Sequence, residues 1–147
     1  MTKQQMLDAI ENMKQMHNAQ MQKIENVIEG KEIDEPTPLS KKECSCGEWF
    51  YSNEKELKDI FGAQLLEKFD LCHEKWHQDY LKIYEIYFKD QKKGFFSKLL
   101  GSSKIDAMQT DKARVYFTEL QSDTEVFFQT VNVASRRVHA LSDAKFH

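Results

Sequence analysis

Apolar residues recur at three- and four-residue spacing through most of the chain, the period of a helix with one buried face. Met6, Ile10, Met13, His17, Met21, Ile24 and Ile28 form one such stripe and predict a helix from about Lys3 to Glu29. A polar stretch from Gly30 to Leu39 follows and contains Pro36 and Pro38. Ser40-Lys41-Lys42-Glu43 then has the Ser and Glu spacing of a capping box, which predicts a short helix beginning there. Asn53-Glu54-Lys55-Glu56 repeats a start signal before Leu57, Ile60 and Phe61, and Gly62 interrupts. From Ala63 to about Lys89 a second long stripe reads Leu66, Phe69, His73, Trp76, His77, Tyr80, Ile83, Tyr84, Tyr87 and Phe88. No alternating pattern of a strand competes with these stripes.

Residues 90–104 read as a connector with one short amphipathic piece, Phe95, Phe96, Leu99 and Leu100. Beyond it Phe117, Leu120, Thr124, Phe127, Val131, Ala134, Val138 and Leu141 predict a long helix over 105–142 with a coiled-coil-like seam. The expected fold is therefore all-α. An antiparallel, four-helix-type bundle occupies 1–90, a connector 91–104, and a long C-terminal amphipathic helix lies within 105–147. A free-standing helix would show too much apolar surface along that seam. It must pack on the bundle or pair with a second copy.

Only five glycines and two prolines interrupt the 147 residues, which suits long elements. The chain is about one domain in length. With 31% charged and 40% hydrophobic residues and a mean hydropathy of -0.68, it reads as a water-soluble, amphipathic protein. No stretch approaches the ~20 apolar residues of a membrane span. The start, Met1-Thr2-Lys3-Gln4-Gln5, lacks the apolar core of a secretion signal, so a cytoplasmic location is expected. A net charge of -3 without a dense basic cluster argues against nucleic acid as a partner. Three cysteines, an odd number, point in a reducing compartment to thiol or metal chemistry more than to disulfides.

The candidate chemistry lies in histidines on apolar stripes. An imidazole is costly to bury unless its nitrogens find partners. His73 and His77 stand at i and i+4, so both rings leave one helix face a turn apart, as two ligands of one metal do. His17 offers a third from the facing helix. Each taken alone is also explained as a core histidine bonded to a carbonyl. Cys44, in Cys44-Ser45-Cys46-Gly47-Glu48-Trp49-Phe50, is placed just inside the helix opened by Ser40 and is the fourth candidate. Cys46 is expected to point to a different side of the helix, and Cys72, beside His73, to serve packing.

The order His17, then Cys44-x-x-Gly47-x-Trp49-Phe50-Tyr51, then His73-x-x-x-His77 resembles the signature of the bacterial chemoreceptor zinc-binding (CZB) domain, over about residues 3–89. The resemblance implies a helical bundle, commonly dimeric, with one zinc held by His17, Cys44, His73 and His77. It also implies a sensory role in bacterial signalling, with zinc itself or an oxidant such as hypochlorous acid as input. Residues 90–147 lie outside it. Members are usually fused to a chemoreceptor signalling hairpin or a diguanylate cyclase. Neither fits in the remaining chain, so the output module is expected to be missing or separate, in the second case a chemotaxis or cyclic-di-GMP signalling protein. The family's dimeric habit and the heptad run together favour a homodimer.

Four protein ligands close a tetrahedral zinc and leave no position for water or substrate, so no enzymatic activity is expected. The zinc would keep Cys44 a thiolate, the form that oxidants attack, making Cys44 the redox-sensing residue. Two other readings compete. One is a hemerythrin-like di-iron bundle using the same histidines with carboxylates such as Glu74 or Glu85. The other is a metal-free helical interaction module in which the histidines are core and the C-terminal helix is the functional part.

Overall fold

The computed structural model describes residues 1–89 and 105–147. The connector and its Phe95-Phe96-Leu99-Leu100 piece lie outside the described residues. Among the described residues five α-helices carry the fold: α1 (Lys3–Ile28), α2 (Ser45–Ser52), α3 (Glu54–Phe61), α4 (Ala63–Tyr87) and α5 (Ala107–Ala140), followed by a 3-10 turn, Asp143–Lys145. No strand occurs among the described residues. The chain is an all-α bundle, as its stripes require.

Capping sets the helix ends. Thr2 and Gln5 form a capping box at the start of α1, and Asp106 with Gln109 does so for α5. At the other end of α1, Gly30 takes φ 76, and the amides of Gly30 and Lys31 return to the carbonyls of Val27 and Asn26. This is a Schellman closure, which a side chain at Gly30 would strain. The expected helix start at Ser40 does not form. Ser40 Oγ accepts the Lys42 amide and its carbonyl accepts that of Glu43, making a turn, and α2 begins only at Ser45. The Ser and Glu spacing fits both outcomes, and the local hydrogen bonds of Ser40 favour the turn.

Two apolar cores stack along the bundle. One joins Met6, Ile10 and Met13 of α1 to Leu66 and Phe69 of α4, to α2 and α3, and to Phe127, Val131 and Val138 of α5. The other joins Ile24 and Ile28 to Trp76, Tyr80 and Ile83 and to Ala113 and Leu120. Helices α1 and α4 thus run in the same sense and α5 runs against both. The parallel pair is possible because the intervening segment, with α2 and α3, brings the chain back to the first core.

The C-terminal helix is an integral wall of this bundle. Leu120, Thr124, Phe127, Val131, Ala134 and Val138 are all buried within the chain. The seam that would have called for a second copy is covered intramolecularly, so it supplies no argument for a homodimer. The helical bundle therefore extends beyond residue 90 and includes 107–140. No described helix is long and apolar enough to cross a membrane.

Candidate metal centre

His17, His73 and His77 meet between the two cores, with exposures of 4%, 1% and 4%. One ring nitrogen from each lies within 4.8 Å of the others. The stripe that places Ile10 and Met13 in the first core and Ile24 in the second necessarily places His17 at the boundary, and the α4 stripe does the same for His73 and His77.

Backbone carbonyls fix which nitrogen of each ring is free. His17 Nδ1 donates to the Met13 carbonyl at 2.9 Å, and His77 Nδ1 donates to the Leu39 carbonyl at 3.1 Å. A carbonyl only accepts, so in the neutral rings Nε2 keeps its lone pair. His77 Nε2 lies 3.2 Å from His73 Nε2, and His73 Nε2 lies 3.2 Å from Cys44 Sγ. His73 in its neutral form has one N–H and cannot satisfy both neighbours. The three imidazoles therefore face one another with lone pairs unpaired, an arrangement that a cation satisfies, while Cys44 meets the group at His73 and is not itself within ligand spacing of all three rings. Zinc at ~2.0–2.1 Å from nitrogen and ~2.3 Å from sulfur separates its tetrahedral ligands by about 3.3 Å and about 3.5 Å. The 3.2 Å spacings of His73 to His77 and to Cys44 are close to those values, and the three imidazoles lie near enough to one another to hold such an ion.

Electrostatics favour the ligand forms. Burial pushes the His17 pKa down to about 4, leaving the ring neutral at pH 7. A hydrogen bond from Cys46, with others from His73 and His77, holds the Cys44 thiol far below its ordinary range despite burial. The same contact with Cys44, together with burial, pushes Cys46 well up. Cys46 itself is buried in the first core.

Cys44 is the N-cap of α2 and not a residue inside a helix. Its Sγ accepts the Gly47 amide at 3.3 Å and lies 3.4 Å from the Lys41 carbonyl. Gly47 is required there: a Cβ at this position would stand 1.6 Å from the Lys41 oxygen. The Gly of the Cys-x-x-Gly spacing therefore lets the turn carrying Lys41 lie directly on α2.

Aromatic rings enclose the cluster. Phe127 stacks on His73 at 5.4 Å and 22° and sits 4.7 Å from His17, while Trp76 meets His17 and His77 edge-on at 5.2 and 5.0 Å. Trp76 Nε1 donates to Thr124 Oγ1 at 2.9 Å, and that hydroxyl donates to the Leu120 carbonyl at 2.7 Å. Helix α5 thus provides a wall of the site through Phe127 and Thr124, a contribution that the stripes do not reveal because a period names a face and not its neighbour.

The remaining candidates lie elsewhere. Cys72 faces α5, its Sγ 3.9 Å from Thr130 Oγ1. Glu74 is engaged by Lys41 and Glu85 is exposed. Among the described residues no carboxylate joins the histidine cluster, which removes the oxygen ligands that a di-iron centre needs. No family model, curated protein or solved structure matches this chain.

Proposed function

We propose that this chain is a zinc-binding regulatory protein of the CZB type, with His17, Cys44, His73 and His77 as ligands and Cys44 as the redox-sensing residue. One observation carries the reading: three buried imidazoles cluster closely enough to hold one ion, and the Cys44 sulfur stands 3.2 Å from one of them, His73. When bound, zinc would supply a positive charge that keeps Cys44 deprotonated. The chain's own groups orient the set, through Met13 and Leu39 carbonyls on His17 and His77 and the Gly47 amide on Cys44.

Cys44 is half-buried, whereas the histidines are enclosed, so the sulfur is the ligand that a small oxidant reaches. Hypochlorous acid would transfer its chlorine to the thiolate with release of hydroxide, hydrolysis of the sulfenyl chloride would give a sulfenic acid, chloride and a proton, and the sulfur would lose its strength as a ligand. Because the ligands come from α1, α4 and the cap of α2, losing one loosens the join between the elements. A separate chemotaxis or cyclic-di-GMP signalling protein would receive that change. The role is regulatory and not enzymatic.

Limited treatment of the zinc-loaded protein with hypochlorous acid, followed by peptide mass spectrometry, tests the sensor. Oxidation is expected at Cys44 before Cys46 or Cys72, together with zinc release. Oxidation first at Cys72 with zinc retained would contradict it.

A further inference from the structure

Next to the ligand set stands a compact ion cluster of Lys41, Tyr51, Asp70 and Glu74. Lys41 Nζ donates to Asp70 Oδ2 at 2.8 Å and to Glu74 Oε2 at 3.1 Å. The Tyr51 hydroxyl donates to the other Asp70 oxygen, and Lys41 Nζ lies 5.9 Å from the Tyr51 ring centre. Asp70 and Glu74 flank His73 on α4. Lys41 and Tyr51 belong to the turn and short helix that carry Cys44.

The stretch 31–44 forms no helix or strand, so ladder hydrogen bonds do not fix its position. It is held instead at a few points. Thr37 bonds Gln20 of α1, the Leu39 carbonyl bonds His77, and the Lys41 side chain bonds α4. Of these, only Lys41 also touches the sulfur's surroundings directly, its carbonyl lying 3.4 Å from Cys44 Sγ and pressing on Gly47. Lys41 therefore ties the sulfur-bearing turn to the helix bearing two imidazoles, beside the Tyr51–Asp70 bond from α2.

We propose that Lys41 is a positioning residue whose grip on Asp70 and Glu74 sets the place of Cys44 against the histidines. It thereby governs how tightly a metal is held and how readily the sulfur reacts. This rests on the reading of Cys44 as a metal ligand. The ion pairs are partly exposed, with side-chain exposures of 18% for Lys41, 32% for Asp70 and 45% for Glu74, so their loss weakens the global fold little. Groups that orient ligands without touching the ion nevertheless change affinity by about 10–100-fold.

The test uses the full chain as wild type, Lys41→Met, Lys41→Arg and Lys41→Met combined with Glu74→Gln. Cobalt(II) is the probe, because a cobalt–thiolate charge-transfer absorption reports the sulfur and imidazoles alone give none. Zinc affinity is read by chelator competition. Lys41→Met is expected to bind zinc about tenfold more weakly, to show a diminished thiolate band and to be alkylated faster at Cys44. Arginine should restore most of each. Adding Glu74→Gln, which bonds only Lys41, to Lys41→Met should change nothing further. A Lys41→Met protein with wild-type affinity and a full thiolate band would overturn the proposal. If the wild type itself bound cobalt without a thiolate band, the ligand reading would fail first, and that outcome is read on the wild type alone. Should Lys41→Met not fold, Glu74→Gln replaces it, with a severalfold loss expected and unchanged affinity refuting.

Discussion

Two of the polar clusters on helix α4 stand about one turn apart, and they are completed in opposite ways. Around Asp79, which is 5% exposed, Lys75 and Lys82 approach one carboxylate at 2.5 and 2.7 Å, and Asp123 and Glu119 of α5 bind the same lysines. Charges of opposite sign alternate, and the chain meets its own needs. Around His73 the neighbours are two more imidazoles and a sulfur, with no group of opposite charge between them. Both clusters tie helices together. Only the second is left with unpaired lone pairs, and that difference marks a ligand site more surely than burial of polar groups does.

The comparison breaks first at Phe127, which belongs to the first core and walls the histidine cluster but not the Asp79 cluster. Phe127→Ala should cost roughly 3–5 kcal/mol in denaturant unfolding, the usual range for a fully buried aromatic. It should also weaken zinc binding, since the ring walls His17 and His73. A large stability loss with unchanged zinc affinity would show that α5 is scaffold only.

Zinc itself sharpens the contrast. Zinc at a hundredfold excess over its Kd should add about 2.7 kcal/mol to unfolding stability. His17→Ala should reduce that gain strongly, while Asp79→Asn should leave it intact. The gain should fall as pH drops, because protons compete for the imidazoles and the sulfur. Next in size, Thr124→Val leaves the buried Trp76 N–H without its acceptor and should cost about 2 kcal/mol, measured by the same unfolding curves.

The smallest effect belongs to Asp79. Burial opposes its ionisation, but hydrogen bonding with Asp123, Lys75 and Lys82 prevails and lowers its pKa. Burial and the contact with Asp79 raise that of Asp123. A carboxyl whose folded pKa is depressed contributes stability above its unfolded value of about 3.9, and this is lost as pH falls below that point. Asp79→Asn should therefore remove about 1 kcal/mol at neutral pH and flatten the stability curve below about pH 4. An unchanged acid limb would show that the pair carries no net linkage.

The long helices were readable because their apolar period is uninterrupted: α1, α4 and α5 begin and end within a few residues of where the stripes place them. The three histidines were readable for the same reason, each occupying a stripe position that an apolar residue would otherwise hold. The turn at Ser40 was not, because a serine three residues before a glutamate caps a helix or closes a turn equally well. Nor was the buried Asp79, which sits off the apolar stripe and is identified only by the lysines and by Asp123 from α5. The parts played by Gly47 and Lys41 depend on two backbone segments touching, and Phe127's depends on which helix α5 lies against. None of these contacts leaves a period or a motif in the chain.

Metal analysis of tag-free protein, offered zinc and then dialysed, tests the central claim most directly. The account predicts one zinc per chain for the wild type and for Cys46→Ser, and a marked loss for His73→Ala and Cys44→Ser. A wild-type chain that retained no zinc, or a His73→Ala chain that retained it fully, would contradict the assignment of this cluster as a metal centre.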